Sequence, residues 1–371
     1  MNSLLHTLSE FGNILQTRLF PALEQELGKL TEEHQQLVKV LGFLQMDGFA
    51  TVRSGPGRPA HNRINILRAF VAKAVLGILH TRALLKRLRS DIRLLRLCGW
   101  DQASQIPDET IFSRAFAEFA VTELPQRVHQ ALIQQTYADR LVGHISRDAT
   151  AIPAREKPHP VPKQPKQRAS RAKNRAPEQM TRLERQCLPG RSLEQMLAEV
   201  PRHCDKGCKV DSKGLPSYWI GYKLHVDVAD GQIPITAMLT SASLQDSQVA
   251  IPLAKMTAKR VTSFYDLMDK GYDSQHIREF SQRLGHVPIV DRQKRGSQQP
   301  VLAPHERIRF RERTAAERVY SRLKDEFGGR CIRVRGNAKV MAHLMFGLLA
   351  LAVDQLLRLI PESVPLDTAL C

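Results

Sequence analysis

The stretch Phe310-Arg-Glu-Arg-Thr-Ala-Ala-Glu-Arg-Val-Tyr-Ser-Arg-Leu-Lys324 decides how the rest of the chain is interpreted. Its apolar residues recur at helical spacing and a pair of glycines follows it, so we expect a helix over residues 313–327. Arg313, Glu317 and Lys324 recur at one- and two-turn intervals, which places them on one face of that helix. A surface ladder of ion pairs would show the same pattern. The apolar side of the helix favours packing against a sheet instead.

Two aspartates upstream of this helix stand in motifs of their own. Asp148 lies in the middle of Ser-Arg-Asp-Ala-Thr, within a predicted strand, and Asp269 opens Asp-Lys-Gly-Tyr-Asp-Ser at the end of another. With Glu317 they offer the hard carboxylate oxygens that divalent cations require. Two such cations about 3.5–4 Å apart can stabilise both the attacking and the leaving oxygen of a phosphoryl transfer. The three acids are therefore candidate catalytic residues and candidate metal ligands.

Asp148, Asp269 and Glu317 resemble the DDE triad of bacterial insertion-sequence transposases. The resemblance is closest to the group whose glutamate lies in a Tyr-x2-Arg-x3-Glu-x6-Lys signature, where Phe310 replaces the tyrosine and the remaining spacing matches. Asp266 is an alternative to Asp269, as is the aspartate at position 273. We prefer Asp269 because it directly precedes Lys-Gly-Tyr, as in the family motif, and the glycine allows a tight turn after the strand.

The resemblance implies a transposase that binds terminal inverted repeats and cuts DNA with water as the nucleophile, after which the freed 3′-hydroxyl attacks target DNA. It implies two Mg²⁺ ions, with Mn²⁺ as a substitute, held by the triad, and phosphate contacts from Arg313 and Lys324. The implied partners are double-stranded DNA, as terminal repeats and as target, and a second copy in a DNA-bound homodimer. Two alternatives remain open: a catalytically silent DNA-binding protein derived from a transposase, and a ribonuclease-H-like nuclease without strand transfer.

Charge also favours a nucleic acid partner. The 371 residues carry a formal net charge of +18, and neutralising phosphates releases the counterions condensed on DNA. Residues 155–185 concentrate ten Lys or Arg with only three acidic residues among many prolines, so we expect an irregular basic insertion. A solvated linker is the alternative. The candidate DNA contacts of this kind are Arg58, Lys163, Lys166, Arg168, Arg171, Lys173 and Arg175.

Periodicity predicts a two-part organisation. Residues 1–143 are expected to form an all-α domain for DNA binding or assembly, with helices over 64–79, 82–97 and 107–119. Residues 144–360 are expected to form a ribonuclease-H-like mixed α/β (α+β) sheet flanked by helices, followed by a tail over 361–371. The expected strands are 144–152, 219–228, 233–241, 263–268 and 287–290, and a further helix covers 274–284.

The remaining sequence features indicate a cytoplasmic, nucleoid-associated protein. The first fifteen residues lack the basic and apolar regions of a secretory signal. The apolar run 344–353 is too short to cross a membrane, so we expect a buried helix there. Six sparse cysteines suggest a reducing compartment, and His203-Cys204-x3-Cys208 has no second ligand pair at the spacing of a zinc finger.

Overall fold

The structure is a computed structural model that describes residues 10–44, 46–49, 61–138, 140–158, 180–210, 214–292 and 302–359. The chain divides into two compact units. The first unit comprises Met1–His129, Glu326–Gly328 and Phe346–Cys371, and the second comprises Gln130–Asp325 and Gly329–Met345.

The described residues before position 139 form helices joined by short turns, as predicted. These helices are α1 Phe20–Leu27, α2 Glu32–Leu44, α3 Arg63–Val75, α4 Thr81–Ser90, α5 Ile92–Leu97, α6 Glu109–Val121 and α7 Leu124–Tyr137. The single helix expected over 82–97 is wrong, because Asp91 ends α4 in an extended conformation and accepts hydrogen bonds from the first backbone N–H groups of α5. Asp108 caps α6 in the same way.

Aromatic rings form the centre of the first unit. The ring of Phe70 on α3 lies 5.7, 5.0 and 6.3 Å from the rings of Phe112, Phe116 and Phe119 on α6. Phe346 stacks on the same ring at 5.7 Å. These spacings are typical of favourable aromatic pairs in a packed core. The apolar stripe predicted for α6 is therefore the side through which that helix packs.

A six-stranded mixed sheet organises the second unit. Its strands are β1 Leu141–Pro153, β2 Asp205–Val210, β3 Pro216–Ala229, β4 Ile233–Ser241, β5 Thr262–Met268 and β6 Val287–Val290. Strand β1 is central, antiparallel to β3 and parallel to β5, and β6 continues the parallel side. The long β3 pairs with β2 through its first half and with β4 through its second half. This is the predicted ribonuclease-H-like arrangement, to which β2 is an addition.

Helices flank the sheet of the second unit. They are α8 Arg182–Gln186, α9 Leu193–Ala198, α10 Ala250–Ala258, α11 Gln275–Arg283, α12 Pro304–Phe310 and α13 Thr314–Asp325. Helix α8 corrects the expectation of an irregular segment up to position 185. Thr181 and Glu184 form a capping box at its start, and Leu183 packs against two buried clusters. The end of the basic segment is thus part of the folded unit.

The last helix, α14 Asn337–Arg358, contains the apolar run that was expected to be buried. Its length and its mean hydropathy of 1.8 would allow it to cross a membrane, but 83% of its most apolar stretch is buried inside the protein. The core helix of a globular protein has the same properties. Residues up to Met345 belong to the second unit and residues from Phe346 belong to the first.

Candidate active site

Strands β1 and β5 bring Asp148 and Asp269 to matching positions on neighbouring parallel strands. Their register pairs Arg147 with Met268, so Asp148 on β1 lies beside Asp269, the first residue after the end of β5. The Asp269 side chain then accepts a hydrogen bond from the Gly271 N–H at 2.8 Å, which caps a short 3₁₀ turn. The tight turn predicted after Asp269 is therefore present, and it fixes the direction of that carboxylate.

The two alternatives to Asp269 lie in other surroundings. Asp266 is only 1% exposed, and its carboxylate lies 3.3 Å from Nδ1 of His286. The carboxylate of Asp273 accepts a hydrogen bond from the guanidinium of Arg278 at 2.5 Å. Each of these carboxylates therefore already has a basic side chain as a partner.

Burial and like charge set the acidity of the aspartate pair. Burial is the largest cause that raises the pKa of Asp148 to about 6, and repulsion from Asp269 and Asp246 adds to it. Burial also raises the pKa of Asp269, again with a contribution from Asp246. Carboxylates that repel each other in a half-buried site are stabilised when a cation binds between them. The site therefore has an excess of negative charge that favours a cationic ligand.

Hydrogen bonds connect helix α13 to strand β1 beside Asp148. The Tyr320 hydroxyl donates to the main-chain oxygen of Asp148 at 2.5 Å and accepts from the Val226 N–H at 3.2 Å. One turn further along, Nζ of Lys324 donates to Oγ1 of Thr150 at 2.6 Å. These bonds hold the helix along the strand that carries the first aspartate.

Glu317 lies on the same helix but its side chain is 54% exposed, and its Oε1 is 2.8 Å from Nη2 of Arg313. The shared face predicted for these two residues is confirmed. The charge of Arg313 also lowers the pKa of Asp148 and of Asp269 against the larger effect of burial. The ring of Phe310 lies 5.8 Å from the same guanidinium. Arg313 is therefore the electrostatic link between Glu317 and the aspartate pair.

The donor chemistry fits a divalent cation at two of its three predicted ligands. Asp148 and Asp269 supply hard oxygen donors with excess charge, as Mg²⁺ requires. Among the residues that the structure describes, no three His, Cys, Asp or Glu side chains are grouped to hold a metal ion. The carboxylate of Glu317 faces Arg313 instead, and it would complete the ligand set.

The sequence motifs did not predict a fourth acid near this site, Asp246. It lies in the turn after β4, where Nζ of Lys223 contacts its Oδ1 at 2.9 Å, and its charge raises the pKa of both Asp148 and Asp269. It also acts on the buried hydroxyl of Tyr272. The only sequence sign of this role is an aspartate just after a buried strand, which is common in proteins and has little specificity.

Most of the predicted DNA contacts lie outside the described residues. These are Arg58, Lys163, Lys166, Arg168, Arg171, Lys173 and Arg175. Arg313 and Lys324, the two that the structure describes, lie beside the acids as set out above.

Two family models match the chain. Residues 189–353 match the transposase DDE domain, and residues 23–118 match the transposase domain DUF772. The first match includes Asp269 and Glu317, whereas Asp148 lies before its start. No curated protein and no solved structure gave a significant match.

A ribonuclease-H-like sheet together with the DDE domain match supports an enzyme of the polynucleotidyl transferase kind. Both matches are to transposase domains and together they cover the helical and the sheet regions. These matches support an insertion-sequence DDE transposase, and the transposase families indicate a DNA transposase.

Proposed function

We propose that Asp148, Asp269 and Glu317 are the catalytic acids with which this transposase cuts DNA at terminal inverted repeats and joins the cut ends to target DNA. The observation that supports this most strongly is the placement of Asp148 and Asp269 on paired strands. Tyr320, on the same helix as Glu317, donates a hydrogen bond to the main-chain oxygen of Asp148. The helix of the third motif is thus hydrogen-bonded to the strand of the first, which supports a shared role for the three.

The proposed reaction has two steps. In the first, a water oxygen loses a proton to the solvent and bonds to the scissile phosphorus, the bond from phosphorus to the 3′ oxygen breaks, and that oxygen takes up a proton from the solvent. In the second, the freed 3′-hydroxyl loses its proton and its oxygen bonds to a phosphorus of the target. The bond from that phosphorus to the target 3′ oxygen breaks, and the target 3′ oxygen takes up a proton. Mg²⁺ ions, two per site and replaceable by Mn²⁺, would supply Lewis-acid stabilisation of the attacking and leaving oxygens.

The residues of this chain have distinct parts in that scheme. Asp148 and Asp269 form the rigid half of the cation site, because a strand pair and a capped turn fix them. Glu317 completes the site when its carboxylate leaves Arg313. Arg313 and Lys324 bind phosphate oxygens, and the bond from Lys324 to Thr150 holds that ammonium beside the acids. These two cations thereby bind and orient the scissile strand, so that its phosphate is placed for in-line attack.

The same proposal covers partners, domains and location. Residues 1–143, which include the DUF772 match, bind the terminal repeats and assemble a homodimer on DNA, while residues 144–360 catalyse. The basic segment before α8 contacts phosphates of the duplex. The enzyme works in the cytoplasm, in association with the nucleoid.

The test uses a DNA fragment that carries the gene with both of its flanks, incubated with purified protein and Mg²⁺. Asp148→Asn, Asp269→Asn and Glu317→Gln should each reduce cleavage by about 10³-fold or more, because several kcal/mol of charge stabilisation are removed. Fragment binding should stay near that of the wild type. Ends are mapped by sequencing, and joining is measured with a second, circular DNA.

Surface charges provide matched controls. Glu109 at the start of α6 pairs with Arg82 of α4 at 3.2 Å, and both side chains are exposed, so Glu109→Gln reproduces the chemical change of Glu317→Gln at an ordinary ion pair. Asp101→Asn does the same for the aspartates. Both controls should cleave like the wild type. Cleavage by Asp269→Asn within a few-fold of wild type would contradict the assignment, and cutting without joining would identify a nuclease.

A further inference from the structure

A two-stranded ribbon extends from the sheet of the second unit. The pairing of β1 with β3 ends where Pro153 meets Gly221, and the pairing of β4 with β3 ends at Tyr222. Residues 216–220 of β3 therefore pair with β2 alone. We call residues 206–210 and 216–220 the ribbon. An isolated strand pair is marginally stable in water, so such an extension needs a function or a partner to account for it.

The surface of the ribbon is unusually apolar for exposed backbone. Val210 is 58% exposed, Tyr218 59% and Ile220 44%, and Leu215 beside the second strand is 63% exposed. Exposed apolar side chains that are grouped in this way mark a binding surface, whereas isolated ones need no explanation. The ribbon is therefore a candidate contact surface.

Side-chain packing makes the ribbon rigid enough to present these groups. The indole of Trp219 lies against Gly207 on the paired strand, where an added Cβ atom would overlap the ring. Its Nε1 donates to the main-chain oxygen of Tyr222 at 2.9 Å. Glycine at position 207 is thus required for the flat contact between ring and strand, and the contact ties the ribbon to the body of the sheet.

Positive charge accompanies the apolar groups. Nζ of Lys206 lies 4.4 Å from the centre of the Tyr218 ring. Lys206 pairs with Ile220, so it lies on the same face of the ribbon as Tyr218. The ribbon leaves the sheet where Pro153 meets Gly221, five residues beyond Asp148 on β1. An exposed aromatic ring with a lysine beside it is a combination with which proteins hold unpaired nucleotides.

We propose that the ribbon binds the unpaired DNA strand next to the cleavage position, with the ring of Tyr218 stacked on a base and Lys206, which lies on the same face, at a phosphate. This inference rests on the proposed function, because it places the scissile strand at Asp148 and Asp269. Paired DNA exposes phosphates and groove edges and offers few surfaces for aliphatic and aromatic side chains. Separated bases offer their faces, and apolar side chains inserted between base steps keep them apart.

The experiment measures binding of two labelled probes in EDTA, so that cleavage does not interfere. One probe is a blunt duplex taken from the end of the element, and the other has the same sequence with a few mismatched bases at that end. The wild type should prefer the mismatched probe by about 5- to 150-fold, the range that corresponds to stacking of one base. Tyr218→Ala should abolish this preference and Tyr218→Phe should retain it.

Matched variants separate the ribbon from general effects. Phe264 is an exposed aromatic residue on β5 (51%), and Phe264→Ala should leave the preference unchanged. Lys206→Ala should weaken binding of the mismatched probe more than Lys259→Ala, which removes an exposed lysine from the end of α10. Circular dichroism and gel filtration confirm that each variant folds.

Two results would overturn the inference. Equal affinity of the wild type for both probes would show that the ribbon does not hold unpaired bases. A lower oligomeric mass of Tyr218→Ala without DNA would assign the ribbon to contact with a second copy of the chain. Neither result depends on cleavage, so failure of the ribbon proposal and failure of the catalytic assignment are distinguishable.

Discussion

Arg147 and Asp148 are neighbours on β1, yet their charges have opposite surroundings. Arg147 is 1% exposed, and its guanidinium donates to both oxygens of Asp227 at 2.8 and 2.7 Å. Thr257 donates to the same carboxylate at 2.6 Å. The pKa of Asp148 is raised instead, first by burial and then by the neighbouring carboxylates of Asp269 and Asp246. Because successive residues of a strand point to opposite faces, one strand carries a balanced ion pair on one side and an excess charge on the other.

This difference separates charges that serve the fold from charges that serve a ligand. A buried ion pair with satisfied hydrogen bonds has its partners within the chain, so removal of either partner leaves an uncompensated charge. The aspartate pair is compensated only in part, by Arg313, and its remaining cost is recovered when a cation binds. Loss of the carboxylate charge should therefore lower the free energy of unfolding at Asp227 and raise it at Asp148.

The largest stability effect is expected at the balanced pair. Asp227→Asn should lower the free energy of unfolding by about 3–5 kcal/mol, because the guanidinium of Arg147 remains buried without its counter-charge. Urea denaturation followed by circular dichroism measures the change. Asp325→Asn, which disrupts an exposed pair with Arg330, is the matched control and should have little effect. A similarly small decrease for Asp227→Asn would show that the buried pair is dispensable.

The opposite sign is expected at Asp148 in metal-free protein. Its folded pKa of about 6 lies above the unfolded value of 3.8, so the folded state holds the proton more tightly and stability falls as pH rises between these values. Above pH 6 the full cost is present, up to roughly 3 kcal/mol. Asp148→Asn should therefore raise stability at pH 7 to 8, and the gain should shrink towards pH 4.

Denaturation of both proteins in EDTA across this pH range measures the effect. Mg²⁺ should stabilise the wild type and not Asp148→Asn, since the variant lacks one of the proposed ligands. A lower stability of Asp148→Asn at pH 8 would contradict the comparison, because it would mean that this charge is already compensated within the chain.

Local physical patterns explain what could be predicted from the sequence. The expected strands and α13 follow from alternating or helical apolar spacing, and the turn after Asp269 follows from a glycine. The extent of β2 could not be predicted in this way. Its sequence Asp-Lys-Gly-Cys-Lys-Val has no apolar alternation, and it is a strand because it pairs with residues 216–221. The break at Asp91 between α4 and α5 shows a cap overriding apolar periodicity.

The site was predictable to the extent that its residues carry their own motifs. Asp148, Asp269 and Glu317 each stand in a recognisable stretch, so their candidacy did not require the fold. Asp246 has no such motif, and its position near the aspartate pair depends on where the turn after β4 returns to the sheet. Glu317 forms an ion pair with Arg313, so its carboxylate does not join the two aspartates. This contact depends on side-chain conformation, which the sequence motif does not predict.

The smallest expected effect extends the comparison of balanced and excess charge to the basic segment. Arg185, in α8, is balanced, since its guanidinium lies 3.2 Å from the carboxylate of Glu199. The six cations from Lys163 to Arg175 precede it in a stretch with few acids. If those six bind DNA phosphates, changing them to glutamine should weaken binding to all sequences alike. The slope of log affinity against log salt should then flatten by up to about 0.9 for each phosphate that is no longer neutralised.

Arg185→Gln is the matched control and should leave the salt slope unchanged, because its charge already has a partner in the protein. Preference for the terminal repeat should survive the six changes, since phosphate contacts position a protein whereas base contacts specify sequence. Titrations at several salt concentrations, with repeat and unrelated duplexes, measure both quantities. An unchanged slope for the six-residue variant would show that the segment is a solvated linker. Excess positive charge alone would then not identify the DNA-binding residues of this chain.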